Sequence, residues 1–239
     1  TVAGTKRFFE KLKSAAPDEV FRFPPSRLGR TGLMVSKIGF GGYRIHEHDP
    51  DHREALKAAL RSGVNLIDTS SNYTDGSSER LIGSSLLDLI NVGIAKRDEL
   101  VLVTKAGFIQ GATLTEAKKL KARGELWPDV IELPGDTWHC IAPEFLAHSI
   151  TQSLERLKVD SIDVLLIHNP EVFFKASRKN INDRKLFLKR MLGAFKHLEG
   201  EVARGRIKHY GVSSNGFPEP ENQSTHVPLK KLMDLAKEA

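Results

Sequence analysis

A single cysteine, Cys140, stands in a chain of 239 residues, with two tryptophans and three tyrosines. One cysteine excludes a disulfide framework within the chain and favours a reducing compartment. No apolar run approaches the ~18 residues that a membrane-spanning helix needs, so a soluble protein without a membrane span is expected. Charge is not concentrated either: 36 basic and 30 acidic residues leave a net +6 spread along the chain. Scattered positive charge suits a solvated surface that draws in anionic ligands, a phosphorylated cofactor among them. The lack of a basic stripe interleaved with aromatics argues against nucleic acid. His139 and Cys140 are adjacent, but no second pair follows at ligand spacing, so no metal site is expected.

What the chain does have is a set of short apolar runs, each ending in a residue capable of chemistry. Val64-Asn65-Leu66-Ile67 leads into Asp68, with Tyr73 in the following loop. Leu100-Val101-Leu102-Val103-Thr104 leads into Lys105, and Ile162-Asp163-Val164-Leu165-Leu166-Ile167 leads into His168. Such runs suit parallel strands buried on both faces, and in βα barrels the carboxyl ends of strands carry the chemistry.

The intervening segments read as helices. Arg27 to Val35 has the glycine-flanked turn of a hairpin, and Lys37-Ile38-Gly39-Phe40-Gly41 reads as a first barrel strand. Asp49 and Pro50 offer a cap and a first-turn proline for a helix through Arg61, which Gly63 ends. Apolar stripes follow at Leu81, Ile82, Leu86, Leu89 and Ile90, at Leu146, Ile150, Leu154 and Leu157, and at Leu188, Leu192, Phe195, Leu198 and Val202. A strand, Ile207 to Val212, and a last helix from near Pro228 complete five βα units. Strict alternation implies an α/β fold, either a closed barrel or a doubly wound sheet. Gly39-Phe40-Gly41-Gly42-Tyr43 lacks the third glycine that the doubly wound alternative requires, so the barrel is preferred. The stretch 106–142 breaks the rhythm and reads as a binding loop over the mouth, with a helix over 118–123 and with Trp127 and Trp138 walling a substrate pocket.

A phenol is too weak an acid at neutral pH unless its anion is stabilised. A lysine ammonium supplies that stabilisation, a carboxylate keeps the ammonium charged, and an imidazole opposite can hydrogen-bond a carbonyl oxygen. Asp68, Tyr73, Lys105 and His168 together suit protonation of an oxygen on which negative charge develops. Hydride addition to a carbonyl develops such charge, and no side chain supplies hydride, so a reduced nicotinamide is implied. Of the other tyrosines, Tyr43 and Tyr210 lie in or beside other strand ends.

Here the sequence resembles the aldo-keto reductase superfamily. The resemblance rests on Leu28-Gly29-Arg30-Thr31-Gly32-Leu33, Ile67-Asp68-Thr69-Ser70 with Asn72-Tyr73, Val103-Thr104-Lys105-Ala106-Gly107, Ser153-Leu154-Glu155-Arg156-Leu157, Leu166-Ile167-His168-Asn169-Pro170 and Tyr210-Gly211-Val212-Ser213-Ser214-Asn215, all collinear. The insertion with Trp138-His139-Cys140 and the Asn-Pro-Glu after His168 look more like the sugar-dehydrogenase-like branch. The resemblance implies a (β/α)8 TIM barrel and metal-free, reversible hydride transfer between NADPH, with NADH as the other option, and an aldehyde, ketone or sugar. Tyr73 would be the general acid, Lys105 its partner, Asp68 the counter-ion and His168 the group orienting the carbonyl. Gly42, Tyr43, Asp68, Asn169, Ser213, Ser214 and Asn215 would bind cofactor.

The departure is in number, with about five of eight βα units. The domain reading is an N-terminal extension over 1–25 and a barrel over 26–239, incomplete at its C-terminal side. The strands near Phe40 and Val212 would be open edges, which further chain or a protein partner would cover. The competing reading is a reductase-derived structural or regulatory subunit of a larger complex, without turnover. The chain opens at Thr1 with a basic, weakly amphipathic segment around Lys6 to Lys13. That opening leaves a cytoplasmic location and, beside a removed presequence, the mitochondrial matrix as the two readings.

Overall fold

The structure is a computed structural model and describes residues 1–15, 24–176 and 181–239. Its elements run α1 (Val2–Ala15), β1 (Ser26–Arg27), β2 (Met34–Val35), β3 (Phe40–Gly41), α2 (Pro50–Arg61), β4 (Leu66–Asp68), α3 (Ser77–Asn91), β5 (Val101–Ala106), β6 (Phe108–Ile109), α4 (Gly111–Arg123), β7 (Ile131–Leu133), β8 (Thr137–His139), α5 (Pro143–Leu157), β9 (Ile162–His168), α6 (Val172–Ala176), α7 (Ile181–Ala203), β10 (Ile207–Ser213) and α8 (Leu229–Glu238). β10, β9, β5, β4 and β3 form a five-stranded sheet in that order, so β3 and β10 are its edges as expected. The registers Phe40↔Ile67 and Leu66↔Val101 are parallel. The first strand is shorter than its apolar run, because only Phe40 and Gly41 of the expected 37–41 pair.

Two compact units divide the chain, Thr1–Thr104 with Ser153–Val164 and Lys105–Gln152 with Leu165–Ala239. In the first, β1 and β2 form the expected hairpin, with Ser26 opposite Val35. Asp49 caps α2 by accepting the Asp51 N–H at 2.9 Å, a contact worth about 1 kcal/mol. Leu56 and Leu60 of α2 and Leu81, Ile82, Leu86 and Leu89 of α3 are buried, each contributing roughly 1.5–3 kcal/mol. Buried Asn65 stitches the strand starts: its side chain accepts from Ser36 N and donates to the carbonyls of Met34 and Glu99.

Glu79 and Glu99 are among the buried acids that brace this unit. Glu79 accepts from Thr104 Oγ1 at 2.6 Å and from Arg156 Nε at 2.7 Å. Glu99, wholly buried, accepts from Arg7 Nε at 3.0 Å and Lys11 Nζ at 2.7 Å, which fastens α1 to the segment before β5. Burial alone would raise the Glu99 carboxyl, but hydrogen bonds from Lys11, the Lys96 N–H and Arg7 outweigh it and hold it below the usual range. The first part of the expected N-terminal extension is thus an anchored helix; 16–23 lie outside the described residues.

In the second unit the long insertion folds on itself. β6, β8 and β7 form an antiparallel sheet, and α4 starts at Gly111, earlier than the 118–123 expected. Trp138 packs with Ile109, Leu114, Ala117, Cys140 and Phe145, with Trp127 against the same cluster. This corrects the expectation that both tryptophans wall a substrate pocket: a sheet this small must bury its large apolar side chains against its own helix. The buried stripe of α7 is also rotated from the one expected. Phe187, Met191 and Ala194 join Phe195 and Leu198 inside, while Leu188, Leu192 and Val202 are half-buried.

Candidate active site

Asp68 ends β4, and its carbonyl accepts the Gly42 N–H at 2.7 Å. A side chain at position 42 would put a Cβ 2.6 Å from Ser78 Oγ and 3.1 Å from Asp68 O, so the turn after β3 requires glycine. Ser78 Oγ donates to Gly42 O at 2.8 Å and accepts from Thr69 Oγ1 at 2.7 Å, which locks the ends of β3 and β4 together. Beyond β4, Tyr73 opens a 3-10 turn whose next two residues, Thr74 (φ 47°) and Asp75 (φ 53°), are left-handed. Thr74 Oγ1 holds that turn by donating to Ile45 O at 2.8 Å and accepting from Ser78 N at 3.1 Å. The Tyr43 and Tyr73 rings meet edge to face at 5.1 Å, with Arg44 over Tyr43. Asp68, Tyr73, Gly42 and Tyr43 therefore belong to the first unit, with Tyr73 half-buried and Tyr43 63% exposed.

Lys105, His168, Asn169 and 213–215 belong to the second unit. Lys105 is buried in β5, whose six residues are all buried, and His168 ends β9 at 8% exposure. Phe108 stands edge-on to the His168 ring at 5.0 Å and to the His139 ring at 5.3 Å. His139 Nε2 lies 2.7 Å from the His168 carbonyl oxygen. A carbonyl only accepts, so Nε2 carries the proton and Nδ1 is left as an acceptor, buried without a hydrogen-bond partner among the described residues. A Cβ at Gly107 would fall 2.6 Å from His168 O and 2.8 Å from His139 Nε2, so the glycine makes room for this contact.

Burial pulls the His139 imidazole down to about 4, against the smaller upward pull of its bond to His168 O. Burial, then the Lys105 charge, then His139 bring His168 down to about 3. Both rings are neutral at neutral pH, so His168 is suited to hydrogen-bonding an oxygen rather than to carrying a charge. Burial pushes the Cys140 thiol up to about 12, which makes it inert. Tyr210, within β10, donates to Glu199 at 2.7 Å; burial and that bond raise it well above a usual phenol and disqualify it as an acid.

Asn169, left-handed at φ 49°, donates its N–H to Ser213 O at 2.7 Å, joining the ends of β9 and β10. Ser213 and Ser214 are half-exposed and Asn215 exposed. His139 and Glu171 are the residues that sequence reasoning passed over. In the sequence His139 stands out only beside Cys140 and in the Trp138-His139-Cys140 insertion, and Glu171 only in the motif after His168, and no spacing signals a side chain that acts on a neighbour's backbone. Among the described residues no cluster of metal-ligating side chains occurs.

The family model described as "Aldo/keto reductase family" matches residues 37–226. A 6-dehydroglucose reductase from Novosphingobium aromaticivorans is 28% identical over 202 residues, covering 80% of this chain and 52% of that protein. An NADH-specific methylglyoxal reductase from Escherichia coli is 29% identical over 59% of this chain and 40% of that protein. Among solved structures, the glycerol dehydrogenase of Gluconobacter oxydans superposes with a TM-score of 0.57 at 20% identity, over 90% of this chain and 51% of that one. The chain thus spans about half the length of the curated relatives it matches.

Proposed function

The chain belongs to the aldo/keto reductase family, and on that premise we propose that it catalyses reversible hydride transfer between a nicotinamide cofactor and an aldehyde, ketone or sugar. The observation that carries this reading is the placement of Asp68, Lys105 and His168 each at the carboxyl end of a strand, with Tyr73 in the turn after β4. In this reading the Tyr73 hydroxyl protonates the carbonyl oxygen, the Lys105 ammonium stabilises the phenolate left behind, Asp68 balances Lys105, and neutral His168 orients the oxygen by a hydrogen bond.

The residues present suit the nicotinamide end of the cofactor. Nothing lies within 4 Å of where a Cβ on Gly41 would point, Tyr43 offers an exposed ring, and 213–215 offer hydroxyl and amide groups of the kind a carboxamide pairs with. A bound reduced nicotinamide supplies the hydride. NADPH is the proposed cofactor, on the positive charge of the chain. NADH is the alternative, since one relative is named as NADH-specific. The sugar-type name of another relative, 6-dehydroglucose reductase, directs the substrate panel toward sugars and their aldehydes.

The test is cofactor oxidation by the purified protein with NADPH and with NADH against aldehydes, ketones and sugars, beside a Tyr73→Phe variant. Turnover that the variant loses supports the reading. Equal turnover by the variant moves the proton donor elsewhere, and a full-length product that is recovered stably only within a complex and oxidises neither cofactor favours a subunit without turnover.

A further inference from the structure

Glu171 lies between β9 and α6, 4% exposed, and is assigned no part in the chemistry above. Its two carboxylate oxygens each take one donor from the end of β10: Ser214 Oγ at 2.6 Å on Oε2 and the Asn215 N–H at 3.0 Å on Oε1. Ser214 Oγ in turn accepts the Gly216 N–H at 2.9 Å. A side chain at Gly216 would clash with Thr225 O and put a Cβ 2.8 Å from Val227 Cγ2 and 3.3 Å from Glu171 Cβ, so the turn after Ser214 requires glycine.

Hydroxyl bookkeeping then fixes the polarity of Ser214. A carboxylate only accepts, so the single Ser214 proton points at Glu171. One lone pair of Ser214 Oγ takes Gly216 N–H, and the other is left to accept. We propose that Glu171 is a positioning residue that sets Ser214 as a hydrogen-bond acceptor for the amide NH2 of a bound nicotinamide carboxamide, an inference that rests on the function proposed above. Without that carboxylate the serine hydroxyl would be free to rotate and offer its proton instead, and a donor facing an NH2 group repels it. The short Ser214 bond is charge-assisted and stronger than a neutral pair. The same carboxylate holds the Asn215 backbone, so orientation and polarity share one source.

The experiment measures dissociation constants by titration calorimetry for three probes: the reduced cofactor that the wild type binds more tightly (NADPH or NADH), its 3-acetylpyridine analogue, in which a methyl group replaces the NH2, and the matching ADP-ribose, which lacks the nicotinamide. The wild type should favour the carboxamide over the acetyl analogue by roughly tenfold, the value of one hydrogen bond at a desolvated site. Glu171→Gln offers one acceptor to two donors. It should weaken cofactor binding by about tenfold, erase most of the preference over the acetyl analogue, and leave ADP-ribose binding unchanged. Ser214→Ala, which removes no buried charge, should erase the same preference if Glu171→Gln does not fold.

Equal losses for cofactor and ADP-ribose, or an unchanged preference in a folded variant, would overturn the assignment of Glu171 alone. A wild type that binds neither cofactor would overturn the proposed function, and the role of Glu171 with it.

Discussion

Acid should destabilise this protein through two neighbouring histidines, and the size of the effect can be worked from their surroundings. In the folded chain His139 and His168 bind protons only near pH 4 and 3. In the unfolded chain both titrate near the ordinary value of about 6.5. A folded value below the unfolded one contributes stability that is present above about pH 6.5 and is lost as pH falls toward the folded value, because the unfolded state gains protons first. Between pH 7 and pH 5 each imidazole should therefore remove about 2 kcal/mol, or about 4 kcal/mol for the pair. Urea or guanidinium unfolding at pH 7, 6 and 5, analysed for two-state behaviour, measures the slope. His197, also lowered chiefly by burial, adds to the total slope, so the informative quantity is the difference between proteins. His139→Gln keeps an N–H for the His168 carbonyl and should remove about half of the slope contributed by the pair. A variant with the same pH dependence as the wild type would refute the reasoning, since it would mean that the His139 ring is not held neutral by burial.

Tyr73→Phe should lower carbonyl turnover by roughly 10²-fold or more while cofactor affinity holds, because the hydroxyl acts only as a proton donor; steady-state kinetics with a binding titration checks both. Lys105→Met should also reduce the rate, and a pH profile that keeps its alkaline limb unchanged would contradict the stabilisation of the phenolate by the ammonium. Arg156→Met leaves the Glu79 carboxylate buried with its strongest partner gone, and denaturation should show a loss of about 3–5 kcal/mol; Glu79→Leu with Arg156→Met together should cost far less. Gly107→Ala drives a methyl group against His168 O and His139 Nε2 and should destabilise by roughly 1–3 kcal/mol, with the loss smaller in a His139→Ala background.

Much of the architecture was legible because local and global signals agree. Asp49, Pro50 and Gly63 bracket α2 where the caps predict, and the apolar runs before Asp68, Lys105 and His168 become β4, β5 and β9. The insertion was misread for a physical reason. Trp127 and Trp138 carry no periodic signature, and whether a large aromatic faces a ligand or its own small core depends on pairings such as Phe108↔His139, which join residues far apart in sequence. The α7 stripe was misjudged because a long amphipathic pattern admits more than one face, and only packing decided for Phe187, Met191 and Ala194. Within the site, residue types at strand ends could be read directly. Glu171 and His139 could not, since they act through a carbonyl, an amide and a hydroxyl whose placement follows from the fold.

Backbone strain falls beside Tyr73 and His168 as well as in connecting turns. Six non-glycine residues are left-handed among those described: Thr74, Asp75, Asp129, Asp136, Lys158 and Asn169. Each such residue costs on the order of 1 kcal/mol or more and persists only where its surroundings over-determine it. Lys158 follows directly on the end of α5, and Asp129 and Asp136 border the short strand β7, where connections commonly demand such a conformation. Thr74, Asp75 and Asn169 instead follow Tyr73 and His168 without an intervening residue of another kind, and each site is fastened. Thr74 Oγ1 bridges Ile45 O and Ser78 N, and the Asn169 N–H is held by Ser213 O. A chain selected only for stability would place glycine at these positions, as it does at Gly76 beside them. Side chains retained in a strained backbone immediately after the proposed proton donor and the proposed carbonyl-orienting imidazole suggest that aim is being fixed at the expense of stability.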